Sequence, residues 1–395
     1  MSLQNWSNRR RWLSVLGPLL LVVMALPWLM TTNRCPFGIG GLLLACWCVW
    51  TGFVFRRTVW WSLNLAAVFF ALGLGELFLS WRESAKTVVR RPMLGSPVPV
   101  EEHTDQWGRV PRPNARIEHS LEVGGKTIFD TVYHFDSHGL RVMPTLASTA
   151  DPDVVVFFGC SFTFGEGVGD RETMPAQMAA CAPDLWVLNF AYSGYGPHQM
   201  LANLESGRVR QICPKAPQVV VFQMIPDHVR RVRGWIPFNP HAPRYVLADG
   251  RVRRDGNLDD AWWTPQAWPF VWRSLIFSRL IVPRIAGQAD LDLAMALIRQ
   301  SAEEVARQFP GCEFHVLLWN YPGKALAGPR RRELREAGIR LHDVETILPD
   351  LEQTPQKYLF RHDGHPNHET HRLLAEYVCR EILDEPETLP PDHER

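Results

Sequence analysis

The stretch Val154–Val168, VVVFFGCSFTFGEGV, decides the fold. It opens with an unbroken apolar run, Val154 to Phe158, made of β-branched and aromatic residues, with Asp151-Pro152 before it and Gly159 after it. A run of that length and composition reads as a strand buried on both faces, as in a parallel sheet. The chain then turns through Gly159-Cys160-Ser161, which sets Ser161 at the carboxyl edge of the sheet. Ligands of open α/β sheets bind at that edge. Ser161 is therefore a candidate nucleophile. The competing reading makes it only the cap of the next helix.

Far downstream the chain reads HDGHPNHETH, His362–His371, and leads into an amphipathic segment with Leu374, Val378 and Ile382 on one face. A serine hydroxyl attacks well only when an imidazole takes its proton, and the imidazole needs a carboxylate to fix its tautomer. Gly159-Cys160-Ser161-Phe162-Thr163-Phe164-Gly165 early and Asp363-Gly364-His365 late resemble the paired blocks of the SGNH (GDSL-type) esterase superfamily. The resemblance implies an α/β fold, a flavodoxin-like three-layer α/β/α sandwich with a parallel sheet. It implies Ser161 as nucleophile, His365 as proton carrier and Asp363 as the group that orients His365. The oxyanion hole would draw on the N–H groups of Ser161 and of Gly194, which follows the strand-like run Leu185–Phe190. A plain glycine turn leaving a strand also accounts for Gly194. Cys160 is a rival nucleophile, but the family block places the reactive residue one position later.

The third family block is where this chain departs. After the strand-like run Gln218–Gln223 the family carries Gly-x-Asn-Asp, whose Asn is a third oxyanion donor. Here Met224-Ile225-Pro226-Asp227-His228 puts proline in its place. Proline has neither an N–H nor a side-chain donor. Either two donors suffice, or another group such as His228 supplies the third or contacts the substrate. The departure keeps open a non-catalytic member that binds a glycan or scaffolds an envelope complex.

The remaining chain surrounds this domain. Its 395 residues, 46% hydrophobic and 21% charged, allow one sizeable domain with additions. A net charge of +1 argues against a nucleic-acid partner. Residues 1–81 hold three apolar segments, Trp12–Met30, Phe37–Phe55 and Val59–Trp81, each of bilayer-spanning length, with tryptophans crowding their ends. They predict three transmembrane helices and a multi-pass protein of the cell (inner) membrane, with the lipid bilayer as partner. Arg9-Arg10-Arg11 and Arg56-Arg57 outweigh the single Arg34 of the other loop, which places the amino end in the cytoplasm. Three spans then deliver the rest of the chain to the periplasmic or extracellular side. Arg82, Lys86, Arg90 and Arg91 count against this orientation.

Residues 82–150 read as a linker and small β extension. Pro92, Pro97 and Pro99 mark an extended stalk, and Ile117–Val123 and Thr127–Phe135 a hairpin joined through Gly124-Gly125. The following Asp136-Ser137-His138-Gly139-Leu140-Arg141 resembles a segment upstream of the serine block in some exopolysaccharide-associated SGNH proteins. It either packs beside the site or belongs to a hairpin covering a sheet edge. Residues 151–385 alternate strand and helix patterns, including helices over Thr173–Cys181, Pro197–Ile212 and Leu291–Phe309 and strands over Glu313–Trp319 and Ile339–Val344. An insertion at about 229–289, rich in Trp and Arg, interrupts the alternation, and 386–395 form a tail. Its tryptophans either stack on sugar rings or staple the loop to the domain.

Cys181 and Cys213 both end helices before strands, which suggests a disulfide. His362, His365, His368 and His371 recur every third residue, but the run crosses Pro366 and lacks the H-E-x-x-H spacing. No metal and no other cofactor are expected. The substrate expectation is an O-acyl group, acetyl foremost, on an envelope or secreted polysaccharide, with the acyl group passing to water or to a second sugar. A phospholipase-like lipid esterase is the alternative.

Overall fold

The computed structural model describes residues 12, 15–16, 18–20, 36–55, 58–84, 88–94, 101–143, 149–235, 239–260, 273–285, 287–321 and 328–383. The chain forms two units, Met1–Thr87 with Trp262–Ile285, and Val88–Ala261 with Ala286–Arg395.

In the first unit two apolar helices, Pro36–Val54 and Val59–Ser84, pack together. Their backbones approach at glycines. A Cβ on Gly41 would lie 2.9 Å from Gly73 Cα, and one on Gly73 would lie 3.0 Å from Gly38 O. Small residues at a helix crossing allow such contact where no apolar side chain must be hidden from water. Phe53, Trp60, Trp61 and Trp81 stand exposed on these helices. Phe37–Val54 and Val59–Arg82, each of mean hydropathy 1.8, are long and apolar enough to cross a membrane. The first expected span, Trp12–Met30, lies largely outside the described residues. Where described, residues 12, 15–16 and 18–20 are helical, and Trp47 Nε1 donates to Val15 O at 2.9 Å.

The second unit begins with strands β1 (Val88–Leu94), β2 (Glu101–Thr104), β3 (Gly108–Pro111), β4 (Arg116–Val123) and β5 (Lys126–His134). β4 and β5 close register at Val123↔Lys126, and Gly124 and Gly125 between them take φ of 58° and 76°. A two-residue turn with both φ positive is the type I′ hairpin that strand twist favours. β1 pairs antiparallel with β4, with a register shift between Arg91 and Leu94. Pro92 of the expected stalk sits within that irregular strand end, where a missing N–H is tolerated.

The central sheet is parallel and has five strands: β6 (Asp153–Phe158), β7 (Leu185–Asn189), β8 (Pro217–Met224), β11 (Glu313–Leu318) and β12 (Arg340–Asp343). A separate hairpin of β9 (Pro243–Ala248) and β10 (Arg251–Asn257) lies between β8 and β11 in sequence. The spatial order β12-β11-β8-β6-β7 reverses direction between β6 and β8. That is the doubly wound, flavodoxin-like order, and its switch point is the crevice beyond the ends of β6 and β8.

Both faces of the sheet are buried, as the unbroken apolar runs require. Val154, Val156 and Phe158 join Met200, Leu201, Leu204, Leu293 and Leu297 on one face. Val155 and Phe157 join Met174, Met178, Leu374 and Val378 on the other. Helices Pro197–Glu205 and Gln288–Gln308 therefore cover the first face, and Met174–Cys181 and His368–Glu381 the second. Each fully buried Val, Leu or Phe contributes roughly 1.5–3 kcal/mol relative to exposure, so these two layers hold the sheet.

Several expectations change. The helix over Pro197–Ile212 is two, Pro197–Glu205 and Arg208–Ile212, because Gly207 takes a left-handed φ of 73° between them. Cys181 and Cys213 do not pair with each other, because they are packed into the cores on opposite faces of the sheet. The expected insertion 229–289 is divided: β9 and β10 belong to the second unit, while residues 273–285 group with the apolar helices. Trp235 donates its indole N–H to Asp290 Oδ2 at 3.0 Å, which fastens the insertion to helix Gln288–Gln308. Trp262, Trp263, Trp268 and Trp272 and the tail 386–395 lie outside the described residues.

Candidate active site

Ser161 follows β6 at the switch point, on the first turn of the short helix Ser161–Phe164. The turn is tight. A Cβ on Gly159 would lie 2.1 Å from Thr163 Oγ1, so only glycine lets the strand bend there. Thr163 ties this turn to the sheet: its hydroxyl donates to Gln223 Oε1 of β8 at 2.7 Å, and its carbonyl accepts from Asn189 Nδ2 of β7 at 3.2 Å. Three strands thus fix the serine. Cys160, next to it, is wholly buried among the apolar residues of one face.

The second half of the site is the loop before the carboxy-terminal helix. Phe360 N–H donates to His365 O at 2.8 Å and Gly364 N–H to Phe360 O at 3.0 Å, closing a turn in which His362 and Gly364 take φ of 69° and 87°. Asn367 then caps the helix, its Oδ1 accepting from Thr370 N at 3.1 Å. This geometry brings Asp363 and His365 to one side. His365 Nδ1 hydrogen-bonds Asp363 Oδ2, and His365 Nε2 lies 2.8 Å from Ser161 Oγ. With the proton on Nδ1 donated to the buried Asp363 carboxylate, Nε2 is free to accept from the serine hydroxyl. Phe162, whose ring centroid lies 5.6 Å from that of His365, holds the imidazole edge-on.

Gly194 lies in the turn Tyr192–Tyr195, with φ of 84°. The backbone N–H groups of Ser161 and Gly194 donate to no acceptor among the described residues. His228 is not brought to this cluster. It is wholly buried, stacked on Phe222 at 5.5 Å, with Nδ1 accepting weakly from Ile225 N at 3.4 Å. Burial, with Arg231 and His198 beside it, pushes its pKa well below the ordinary histidine value. It is a neutral core histidine on the opposite face of β8 from Phe162. Pro226 caps helix Asp227–Arg231 and supplies no donor. His371, last of the histidine run, is also a core residue. Its Nδ1 accepts from Met174 N at 3.0 Å, and burial pushes its pKa down to about 3.

Glu166, which belongs to neither motif, joins the cluster. Its carboxylate Oε2 lies 3.8 Å from His365 Nε2 and accepts from Ser193 Oγ at 2.8 Å, linking the imidazole to the residue before Gly194. Burial pushes the carboxyl up, yet His365, the Ser193 hydroxyl and His119 outweigh it and hold it below the usual carboxylate value. An acid between two glycines directly behind the serine block, Gly165-Glu166-Gly167, was the available signal.

The β extension braces both halves. Arg141, almost fully buried, donates to the carbonyls of Phe164 at 2.6 Å, Gly165 at 2.7 Å and Val168 at 2.7 Å, and to Asp170 Oδ1 at 3.0 Å. Tyr133 of β5 accepts from Gly167 N at 2.8 Å, and Phe129 packs 5.4 Å from Phe360 beside the histidine loop. Of the two readings of the segment ending in Arg141, packing beside the site is the one observed.

No family model matches the chain, and no curated protein does. Among solved structures, a member of the lipolytic G-D-S-L family from Veillonella parvula is 13% identical with a TM-score of 0.36, spanning 58% of this chain and 98% of its own. A G-D-S-L family lipolytic protein from Desulfitobacterium hafniense is 14% identical, TM-score 0.33, covering 57% and 97%. A psychrotrophic esterase from Pseudoalteromonas is 13% identical, TM-score 0.33, covering 59% and 97%. At such low likeness the site must be read from its own geometry.

Proposed function

We propose that this chain is a membrane-anchored serine esterase or O-acyltransferase of the SGNH type. The observation that carries the proposal is the array Asp363–His365–Ser161 at the sheet's switch point, with a 2.8 Å contact between His365 Nε2 and Ser161 Oγ. In this reading Ser161 Oγ attacks an ester carbonyl as its proton passes to His365 Nε2. The N–H groups of Ser161 and Gly194 receive the oxyanion. The alcohol departs with the proton from His365, leaving an acyl-serine. Water or a sugar hydroxyl then gives its proton to His365 and attacks the acyl carbon, and His365 passes that proton to Ser161 Oγ as the acyl–serine bond breaks.

Short acyl groups, acetyl foremost, on an envelope or secreted polysaccharide are the substrate we infer. Ser161, Glu166 and Ser193 are all nearly buried, and Glu166 and Ser193 set polar groups beside His365 and the serine. That supports a short acyl group over a fatty chain. The apolar helices support membrane attachment, and a periplasmic or extracellular catalytic unit rests on Trp12–Met30 as a third span together with the arginine pattern of the loops. The proline at position 226 favours one rival, a non-catalytic glycan-binding member of an envelope complex. An active-site phosphonate probe separates them. The proposal expects covalent labelling of the wild type, none of Ser161→Ala, and hydrolysis that falls as the acyl chain lengthens. An unlabelled wild type would favour the binding protein, and activity rising toward long chains a lipid esterase.

Glu166 offers a finer test. Glu166→Gln keeps an acceptor for Ser193 but removes a negative charge beside His365. Loss of that charge makes the imidazole easier to deprotonate, so the acidic limb of kcat/KM should move to lower pH by about one unit. A limb that stays in place while activity drops would reduce Glu166 to a packing residue.

A further inference from the structure

Glu76 lies inside the apolar helix Val59–Ser84 and is only 4% exposed. A carboxylate in such a helix is costly unless donors surround it. Here the donors come from far along the chain: Ser274 Oγ, Leu275 N at 2.8 Å and Ile276 N at 3.1 Å. These are the first donors of a helical segment, in which a π-helical turn, Phe277–Ile281, continues into Val282–Ile285. The carboxylate thus does for this segment what an N-cap residue does, from another helix. Gly75 makes room for it, since a Cβ there would lie 3.1 Å from Ile276 Cδ1.

The segment's own chemistry points outward. Leu280 and Ile281 are 44% and 41% exposed, in a unit whose Phe78 and Trp81 are exposed as well. Arg273, Arg279 and Arg284 are exposed, and no acidic residue occurs between positions 273 and 285. Glu76 stands one and a half helical turns, about 8 Å, before Trp81, a tryptophan of the kind that marks a membrane interface. Exposed apolar side chains interleaved with arginines suit the boundary between acyl chains and anionic phosphates.

We propose that Arg273–Ile285 is a membrane-interface element, seated on the second apolar helix through Glu76, with Leu280 and Ile281 among lipid acyl chains and its arginines at lipid phosphates. This rests on the reading that Pro36–Val54 and Val59–Ser84 cross a membrane. By chain connectivity the segment is inserted between two parts of the catalytic unit, so it gives that unit a second lipid attachment.

The test places p-benzoylphenylalanine singly at Leu280, Ile281, Phe53 or Leu247 of the full chain, in nanodiscs of phosphatidylethanolamine and phosphatidylglycerol. Photolysis is followed by mass analysis. Phe53, 82% exposed on the first apolar helix, reports the span reading, and Leu247, 42% exposed on β9 of the second unit, is the control for unspecific labelling. Lipid adducts at 280 and 281 in yields comparable to Phe53, with none at 247, are expected. Glu76→Leu should reduce the adducts at 280 about tenfold, as expected from losing one or two net hydrogen bonds, while Glu76→Gln retains most of them. Adducts at 53 accompanied at 280 and 281 only by crosslinks to protein, whether a second copy or another partner, would overturn the proposal, as would equal lipid adducts at 247. Absence of adducts at 53 would instead sink the membrane-span reading, and the proposal with it.

Discussion

Ser161→Ala is expected to lower kcat on a simple acetyl ester by about 10⁴ to 10⁶, leaving only what binding and oxyanion donors supply. In the proposed route the 2.8 Å contact between Ser161 Oγ and His365 Nε2 couples the two groups. Without the imidazole the hydroxyl keeps its proton, and without the hydroxyl the imidazole has no proton to take. His365→Ala should therefore cost about as much as Ser161→Ala, and the double variant no more than either alone. Asp363→Asn keeps the shape of the turn but donates toward Nδ1, forcing the wrong tautomer, and should cost about 10⁴ in kcat. Initial rates for the four variants decide the matter. Losses that multiply in the double variant would mean that Ser161 and His365 act separately, and the acyl-serine route would have to be abandoned.

The sheet and this core of the site were legible because each depends on local pattern. Val154–Phe158 needs only its own residues to declare a strand buried on both faces, and Asp363 and His365 sit two positions apart in one turn. Gly124-Gly125 specified its hairpin for the same reason. What escaped was set by contacts distant in sequence. Glu166 gains its meaning from Ser193 and from His365, some two hundred positions later. His228 was suggested by closeness in sequence to Pro226, yet the first turn after β8 carries it to the opposite face. Gly207 in a helical pattern and the division of the insertion at residues 273–285 depend on which core each half can bury. Glu76 takes its donors from residues 274–276, some two hundred positions away, so only the folded chain supplies them.

Arg141→Ala is expected to give the largest loss of stability. Its guanidinium, with no side-chain exposure, forms four hydrogen bonds, three to carbonyls of the loop that follows Ser161 and one to Asp170. Its plane also lies 4.5 Å from the Tyr133 ring and 4.7 Å from that of Phe164. Burial lowers its proton affinity, which Tyr133 and Asp170 partly restore. Removing one partner of a buried ion pair costs about 3–5 kcal/mol, and the lower end applies here because Asp170 keeps His134 Nδ1 at 2.6 Å. The three carbonyls lose their donor at the same time. For a domain of this size each kcal/mol moves Tm by about 2–4 °C, so the melt should fall by roughly 10 °C. Arg141→Lys brings the charge but not a planar fork that can reach three carbonyls, and should recover less than half of the loss. Activity should fall with stability even at temperatures where both variants stay folded, because the loop carries Glu166 to within 3.8 Å of His365. Thermal melts of the detergent-solubilised chain, paired with initial rates well below Tm, separate the two effects. A shift under about 2 °C for Arg141→Ala would show that the loop holds its shape without the clamp, in which case Thr163, through Gln223 and Asn189, positions the serine alone.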